Sequence, residues 1–276
     1  MTAEQLYGQI VSKKSFLCIG LDPEMSRLPA HIAGLHFPLY EFGTRIIDAT
    51  HDLAVAYKPN VAFFECFGSS GWRQLEMIVE YIRKTCPEVM IIADGKRGDI
   101  GNSSRKYAEA FYNNLDCDAL TVAPYMGADS VKPFLEHPGK WVILLALTSN
   151  QGADDFQLLR TGMVERLFET VLKKSLRWGN SSNMMYVVGA TQASLLLKVR
   201  EIVPDHFLLI PGVGAQGGDL DEVVKYGFNK RCGLIVNSSR AIIHADATQG
   251  FAEAARNKAL EMQRHMQHIL KEKSLI

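Results

Sequence analysis

Neither sign of charge is in excess: over 276 residues, 30 Lys and Arg meet 30 Asp and Glu. That balance excludes the surface-wide basic footprint that nucleic acids or anionic membranes require. Cysteine is sparse and unpatterned. The five cysteines (Cys18, Cys66, Cys86, Cys117, Cys232) form no CxxC pair and no Cys/His metal spacing. Cys18, Cys66, Cys117 and Cys232 lie in or beside apolar runs, so they are expected to be reduced core thiols of a cytosolic protein. No apolar run approaches the roughly 18 residues of a membrane span. The first residues, MTAEQLYGQIVSKKSF, lack the long apolar stretch of a signal peptide. A cytoplasmic protein with no nucleic-acid or membrane partner is the expectation.

No low-complexity linker or composition shift divides the chain. The hydrophobic share is 47%, enough for a large core without disulfide staples. What the chain does contain is an alternation. Short apolar runs, rich in β-branched residues, are each followed by a longer segment of helical period. The runs are Phe16–Leu21, Val55–Lys58, Val89–Asp94, Ala119–Ala123, Trp141–Leu147, Met184–Gly189, Phe207–Gly212 and Gly233–Asn237. These eight runs are the number that an α/β fold of the (β/α)8 TIM-barrel type needs. Runs such as VMIIAD and WVILLAL are apolar on both faces, as strands of a covered parallel sheet are. Leu75, Ile78, Val79 and Ile82 repeat at helical spacing. So do Phe251, Ala255, Ala259, Met262, Met266 and Ile269, which predict a closing helix. Residues 1–276 are therefore expected to form a single barrel domain. The polar stretch Thr148–Leu159 reads as a mobile loop after a strand.

Strand after strand ends in a charged or small polar residue: Asp22, Lys58, Asp94 with Lys96, Ser149, Gly212 and Asn237. In a β/α barrel these ends share one face, where active sites sit. The densest cluster is IIADGKRGDIGNSS, residues 91–104. Asp94 and Lys96 stand two apart on an extended segment and so point to one face. Asp99 follows past Gly98. Asn102 or Ser103 is placed to cap a helix beginning near Ser104. Lys58 can add a second ammonium. Carboxylates in such an array hold ammonium groups in place and keep them protonated, and a lysine so held can protonate a carbanion. A salt-bridge network at the barrel mouth would use the same residues.

Two later segments suit an anion. PGVGAQGGD, residues 211–219, places four glycines after a strand, where backbone N–H groups can approach phosphate. GLIVNSSRAI, residues 233–242, puts Arg240 after the last strand. Loops after the seventh and eighth strands are the recurrent phosphate site of these barrels, and a guanidinium binds phosphate in bidentate fashion. A glycine-rich turn and a surface arginine would look the same taken singly. The eight histidines show no metal spacing, and His265 with His268 reads as a solvated helix face. Asp154 and Asp155 read as solvated, and Trp72, Trp141 and Trp178 as packing residues.

The segments FLCIGLDP, YKPNVAFFE, ADGKRGDIGNSS, TVAPYMGADS, LALTSNQG, PGVGAQGGD and NSSRAI occur in one order along the chain. In that set and order the sequence resembles the orotidine 5′-phosphate decarboxylase family, in its shorter bacterial form. The resemblance implies decarboxylation of orotidine 5′-monophosphate to UMP. It implies Lys96 as proton donor, Asp94 facing the substrate carboxylate, and Lys58 and Asp99 completing a charged tetrad. It implies a homodimer in which Asp99 is supplied across the interface. Asp22 is implied to bind ribose, and Ser149 to read the pyrimidine amide edge. Gln216 and Arg240 are implied to grip phosphate, with Gln216 bridging to Ser149 on closure and Thr148–Leu159 as lid. Ile100 and Pro211 are implied to line the pyrimidine pocket. Ser103 stands where the family often has Thr, keeping a hydroxyl. No metal or organic cofactor is implied. Two other readings share residues with this one. A Mg²⁺-dependent sugar-phosphate decarboxylase or aldolase shares Asp-x-Lys-x-x-Asp, and a non-catalytic phosphate-binding barrel would share the loops.

Overall fold

Each of the eight apolar runs becomes a strand in the computed structural model, which describes residues 1–213 and 217–276. The barrel strands are β1 (Leu17–Leu21), β2 (Ala56–Pro59), β3 (Met90–Arg97), β4 (Ala119–Val122) and β5 (Trp141–Leu147). After a two-stranded antiparallel excursion, β6 (Arg160–Thr161) with β7 (Glu165–Arg166), come β8 (Met184–Val188), β9 (Leu208–Pro211) and β10 (Leu234–Ser238). Among the described residues the eight barrel strands run parallel, each beside its neighbour in the chain, and β10 closes on β1. This is the (β/α)8 TIM barrel the alternation predicts. The β6–β7 hairpin was not anticipated, because two-residue strands leave no periodic signal.

Strands enclosed by helices lose solvent on both faces, which is why β1, β2, β4 and β8 are buried along their whole length. The helix Gly68–Thr85 buries Leu75, Ile78, Val79 and Ile82, as its spacing predicts. Each such side chain contributes roughly 1.5–3 kcal/mol on burial. The C-terminal helix Phe251–Glu272 seats Phe251 in a stack on Phe42 of the helix Pro38–Thr50, with centroids 5.2 Å apart.

Three expectations need correction. Strand β3 runs three residues past Asp94, to Arg97, through a register shift against β4 between Ala93 and Arg97. The following helix begins at Gly101 rather than near Ser104. Its N-cap position is Ile100, and neither Asn102 nor Ser103 caps it. Ser104 instead turns its hydroxyl back onto the Asp99 carbonyl. Cys66 is exposed, whereas Cys18, Cys86, Cys117 and Cys232 are buried. Cys66 follows the four-residue helix Ala62–Glu65, whose one buried side chain is Phe64, so the apolar run around it overstates burial. Burial pushes the Cys18, Cys117 and Cys232 thiols up to about 12, which leaves them inert at neutral pH.

Thr148–Leu159 is folded on itself. It holds the short helix Ala153–Phe156, and the Gln157 side chain closes its base by accepting from the Thr148 N–H at 2.7 Å. No helix is long and apolar enough to cross a membrane among the described residues.

Candidate active site

The C-terminal ends of β1, β2, β3, β9 and β10 surround a cavity of about 170 Å³. One wall carries Asp22, Lys58, Asn60 and Asp94, and the other runs from Pro211 to Val213 and from Asn237 to Arg240. The wall from β1–β3 is charged. Lys58, only 4% exposed, lies on β2 beside Gly20 of β1. Its ammonium donates to Asp94 Oδ2 at 2.6 Å. Lys96 donates to Oδ1 of the same carboxylate, also at 2.6 Å. Thr121 of β4 adds a third donor to the carboxylate, at 3.0 Å from Oδ1.

One buried carboxylate thus sits between two ammonium groups. Burial by itself would raise the Asp94 pKa. The adjacent Lys58 and Lys96 outweigh it and hold the carboxyl well below the usual carboxylate range. Burial would likewise strip the proton from Lys58, but Asp94 and Asp22 more than compensate and raise its pKa. Asp94 and Lys58 are therefore both charged at neutral pH. Exposure within the cluster is graded: the Asp94 side chain is 11% exposed and that of Lys96 52%. The lysine nearest solvent is the one free to swing toward a bound molecule.

Asp22 follows β1 and is half-buried, and its Oδ1 is enclosed with no hydrogen-bond partner among the described residues. Its backbone carbonyl lies 3.4 Å from Nε2 of His244, whose ring stacks on Phe42 at 5.4 Å. Burial lowers the His244 pKa, so this ring is neutral at pH 7. On the opposite wall, Asn237 accepts from the Cys18 thiol at 3.5 Å and donates to Ser239 Oγ at 3.3 Å. Ser239 approaches β1 so closely that a Cβ on Gly20 would fall 1.8 Å from its oxygen. Any side chain at Gly20 would have to displace Ser239.

The sequence-predicted residues divide into three groups. Lys58, Asp94, Lys96, Asp22, Pro211 and Arg240 converge on the cavity or on its charged cluster. Arg240 opens the helix Arg240–Ile243 and is exposed. Asp99, Ile100, Ser103 and Ser149 do not line it. Asp99 accepts from the Ile100 N–H at 2.7 Å and makes no ion pair with either lysine among the described residues. Ile100 is 57% exposed, and Ser103 is exposed on the first turn of the helix Gly101–Ala108. Ser149 follows β5 and is packed against Gly189, where a Cβ would come within 2.6 Å of its backbone nitrogen. Gln216 lies outside the described residues. Within that segment's frame, Gly218 N–H donates to the Gly212 carbonyl at 3.1 Å.

Asn60, Thr121, Ser239 and His244 were not singled out as site residues, and Asn237 only as a polar strand end. Asn60 and Asn237 were legible in principle, as amides at the ends of strands β2 and β10. Thr121 looks like an ordinary β-former, and only the β3–β4 register reveals its contact with Asp94. Among the described residues, no group of three or more His, Cys, Asp or Glu is placed to hold a metal ion.

The model of the orotidine 5′-phosphate decarboxylase / HUMPS family matches residues 15–255. Orotidine 5′-phosphate decarboxylase of Flavobacterium johnsoniae is 56% identical over 273 residues, 99% of this chain and 100% of that one. The enzyme of the same name from Phocaeicola vulgatus is 56% identical over 270 residues, 98% of this chain and 99% of that one. Among solved structures, Leishmania donovani OMP decarboxylase superposes with a TM-score of 0.80 at 33% identity, covering 96% of this chain and 100% of that one. With matches of this extent on a barrel of this topology, the chain belongs to the orotidine 5′-phosphate decarboxylase family.

Proposed function

We propose that this chain, a single barrel domain over residues 1–276, converts orotidine 5′-monophosphate to UMP and CO2, with Lys96 as the proton donor. The observation that carries the reading is the Asp94 carboxylate, buried and ionised, with Lys58 and Lys96 each 2.6 Å from one of its oxygens. The substrate carboxylate is directed against Asp94. Two like charges at 4 Å repel by roughly 4 kcal/mol at an effective dielectric of 20. Cleavage of the carbon–carboxylate bond releases neutral CO2 and ends that repulsion, while the bonding electron pair stays on the ring carbon. The Lys96 ammonium stabilises the pair and then transfers its proton to that carbon. The interaction is stronger in the transition state than in the bound substrate, which is the condition for rate acceleration.

The remaining roles follow the chemistry of each group. Asp22 offers a buried carboxylate oxygen as acceptor for a ribose hydroxyl, in keeping with that oxygen's lack of a partner among the described residues. Arg240, with Gln216, receives the phosphate. Pro211 and Ile100 flank the pyrimidine, Ser149 reads its amide edge, and Ser103 supplies a hydroxyl beside it. Remote phosphate binding then helps to close the site and exclude water. Asp99, Ile100 and Ser103 act in the site of a second copy, so the working unit is a homodimer. Their position off this chain's own cavity supports that assignment. So do the apolar side chains at the same end of the barrel, Ile100 and the 84% exposed Tyr125, which a second copy would cover. The enzyme works in the cytoplasm and needs no metal.

The test is direct. Mixing the protein with orotidine 5′-monophosphate should abolish the orotate-ring absorbance at an equal rate with and without EDTA. A stable absorbance would refute the reading, and EDTA-sensitive decay would favour a metal-dependent relative.

A further inference from the structure

Lys96 is a non-glycine residue in the left-handed region, with φ of 45°. Side chains with a Cβ avoid that region unless neighbouring groups impose it. Here the Gly95–Lys96 peptide is held from both sides. Its N–H donates to Thr121 Oγ1 at 2.9 Å, and its carbonyl accepts from Nη1 of Arg97 at 3.0 Å. A flip of this peptide would break both bonds and return Lys96 to the extended conformation it intrinsically prefers.

The guanidinium that grips the carbonyl is itself fixed. Its second arm donates to Glu65, on the short helix that follows β2. Its plane lies over Tyr107 and Phe111, 5.4 Å from each ring centroid. The Arg97 carbonyl accepts from Ala123 N–H at 2.8 Å, tying the same residue to the end of β4. Arg97 thereby connects the β2 loop, the bulged end of β3 and the following helix around one peptide.

We propose that Arg97 is a positioning residue for the decarboxylation. By holding the Gly95 carbonyl it fixes the peptide that aims the Lys96 ammonium at Asp94. The inference rests on the reading of Lys96 as proton donor. A surface ion pair that merely joined two segments would have no need of the Gly95 contact.

Arg97→Ala and Arg97→Lys are compared with the wild type and with Arg105→Ala, which removes only an exposed pair with Glu136. A lysine can keep one cationic contact but cannot reach both Gly95 and Glu65. Both Arg97 variants should lose roughly 10²-fold in kcat, the scale of a misplacement near 1 Å, with KM little changed. Millimolar guanidinium should restore part of the Arg97→Ala rate, while Arg105→Ala behaves as wild type. Crystal structures of the two variants should show Lys96 in an extended conformation with its ammonium off Asp94. If Arg97→Ala does not fold, Arg97→Lys decides alone by the same readouts. A kcat near wild type in the folded variants, or Lys96 still left-handed and on Asp94 in their crystals, would overturn the proposal. The crystal readout holds whether or not the wild type turns over, and failure of wild-type turnover counts against the decarboxylase reading alone.

Discussion

Replacing Asp94 by Asn tests how the charged cluster is held together. Lys58 is almost fully buried, and its ammonium faces Asp94 at 2.6 Å. Removing the carboxylate's charge strands that ammonium, and breaking a buried pair from one side costs about 3–5 kcal/mol. The protein has one escape, which is to release the proton. An ordinary lysine titrates about 3.4 pH units above neutrality, and each unit is worth about 1.36 kcal/mol. Deprotonating Lys58 therefore costs at most about 4.6 kcal/mol at pH 7 and about 1.9 kcal/mol at pH 9. Asp22, which also favours the charged lysine, keeps the loss at or below these ceilings. In the variant the folded pKa of Lys58 falls below its unfolded value, so the unfolded chain binds more protons and stability rises with pH. In the wild type the signs are opposite. The raised Lys58 pKa contributes stability present below the ordinary lysine range and lost as pH climbs through the folded value. The depressed Asp94 pKa contributes stability present above the ordinary carboxylate range and lost as pH falls below it. Urea denaturation at pH 7 and pH 9 separates these cases. The variant should be less stable than wild type by about 3–4.6 kcal/mol at pH 7 and should recover about 1–2.7 kcal/mol of that by pH 9. A loss under about 1 kcal/mol with no pH dependence would be the size of an exposed pair and would refute the buried-charge argument.

Two further outcomes concern substrate and assembly. Arg240→Ala should raise KM for the phosphorylated substrate by roughly 10²-fold or more with a smaller change in kcat, since a charge-assisted hydrogen bond is worth about 1.5–3 kcal/mol and a bidentate pair makes two; equal KM values in steady-state assays would remove it from the phosphate site. Asp99→Ala and Lys96→Ala should each be inactive alone, yet regain about a quarter of wild-type activity when mixed and allowed to exchange subunits, because half the dimers then hold one intact site. No recovery in a mixture that size-exclusion chromatography shows to be exchanging dimers would place Asp99 outside a shared site.

The barrel was legible because its evidence is periodic and repeated: eight apolar runs, each followed by a helical pattern, leave few alternative topologies. Asp94, Lys96 and Lys58 were legible for a related reason. Charges at strand ends share one face of a parallel barrel, whatever the details of the helices. What escaped was set by backbone geometry and by contacts distant in the chain. Strand β3 looks finished at Asp94, where the apolar run stops, yet pairing with β4 carries it to Arg97 through a bulge that apolarity does not encode. Thr121 meets Asp94 across 27 positions of sequence. The exposure of Cys66 depends on which side of a four-residue helix packs, and a run of apolar letters does not say which. Arg200 is a similar case. On the helix Leu196–Ile202 it is buried, donating to the carbonyls of Val203, His206, Gly227 and Gly233, contacts that no local pattern encodes. Asp99 lies off its own chain's cavity, which the spacing of charges in the segment does not reveal.

The central claim is that the Lys96 ammonium delivers the proton that completes decarboxylation. Lys96 is half-exposed, and Asp94 keeps its bond to Lys58 when Lys96 is removed, so Lys96→Ala should remain folded. Single-turnover absorbance measurements with orotidine 5′-monophosphate should show rapid loss of the orotate ring signal with the wild type. With Lys96→Ala of matching circular dichroism the signal should be essentially static. Turnover by that variant within about tenfold of wild type, a difference of only about 1.4 kcal/mol in the barrier, would contradict the account.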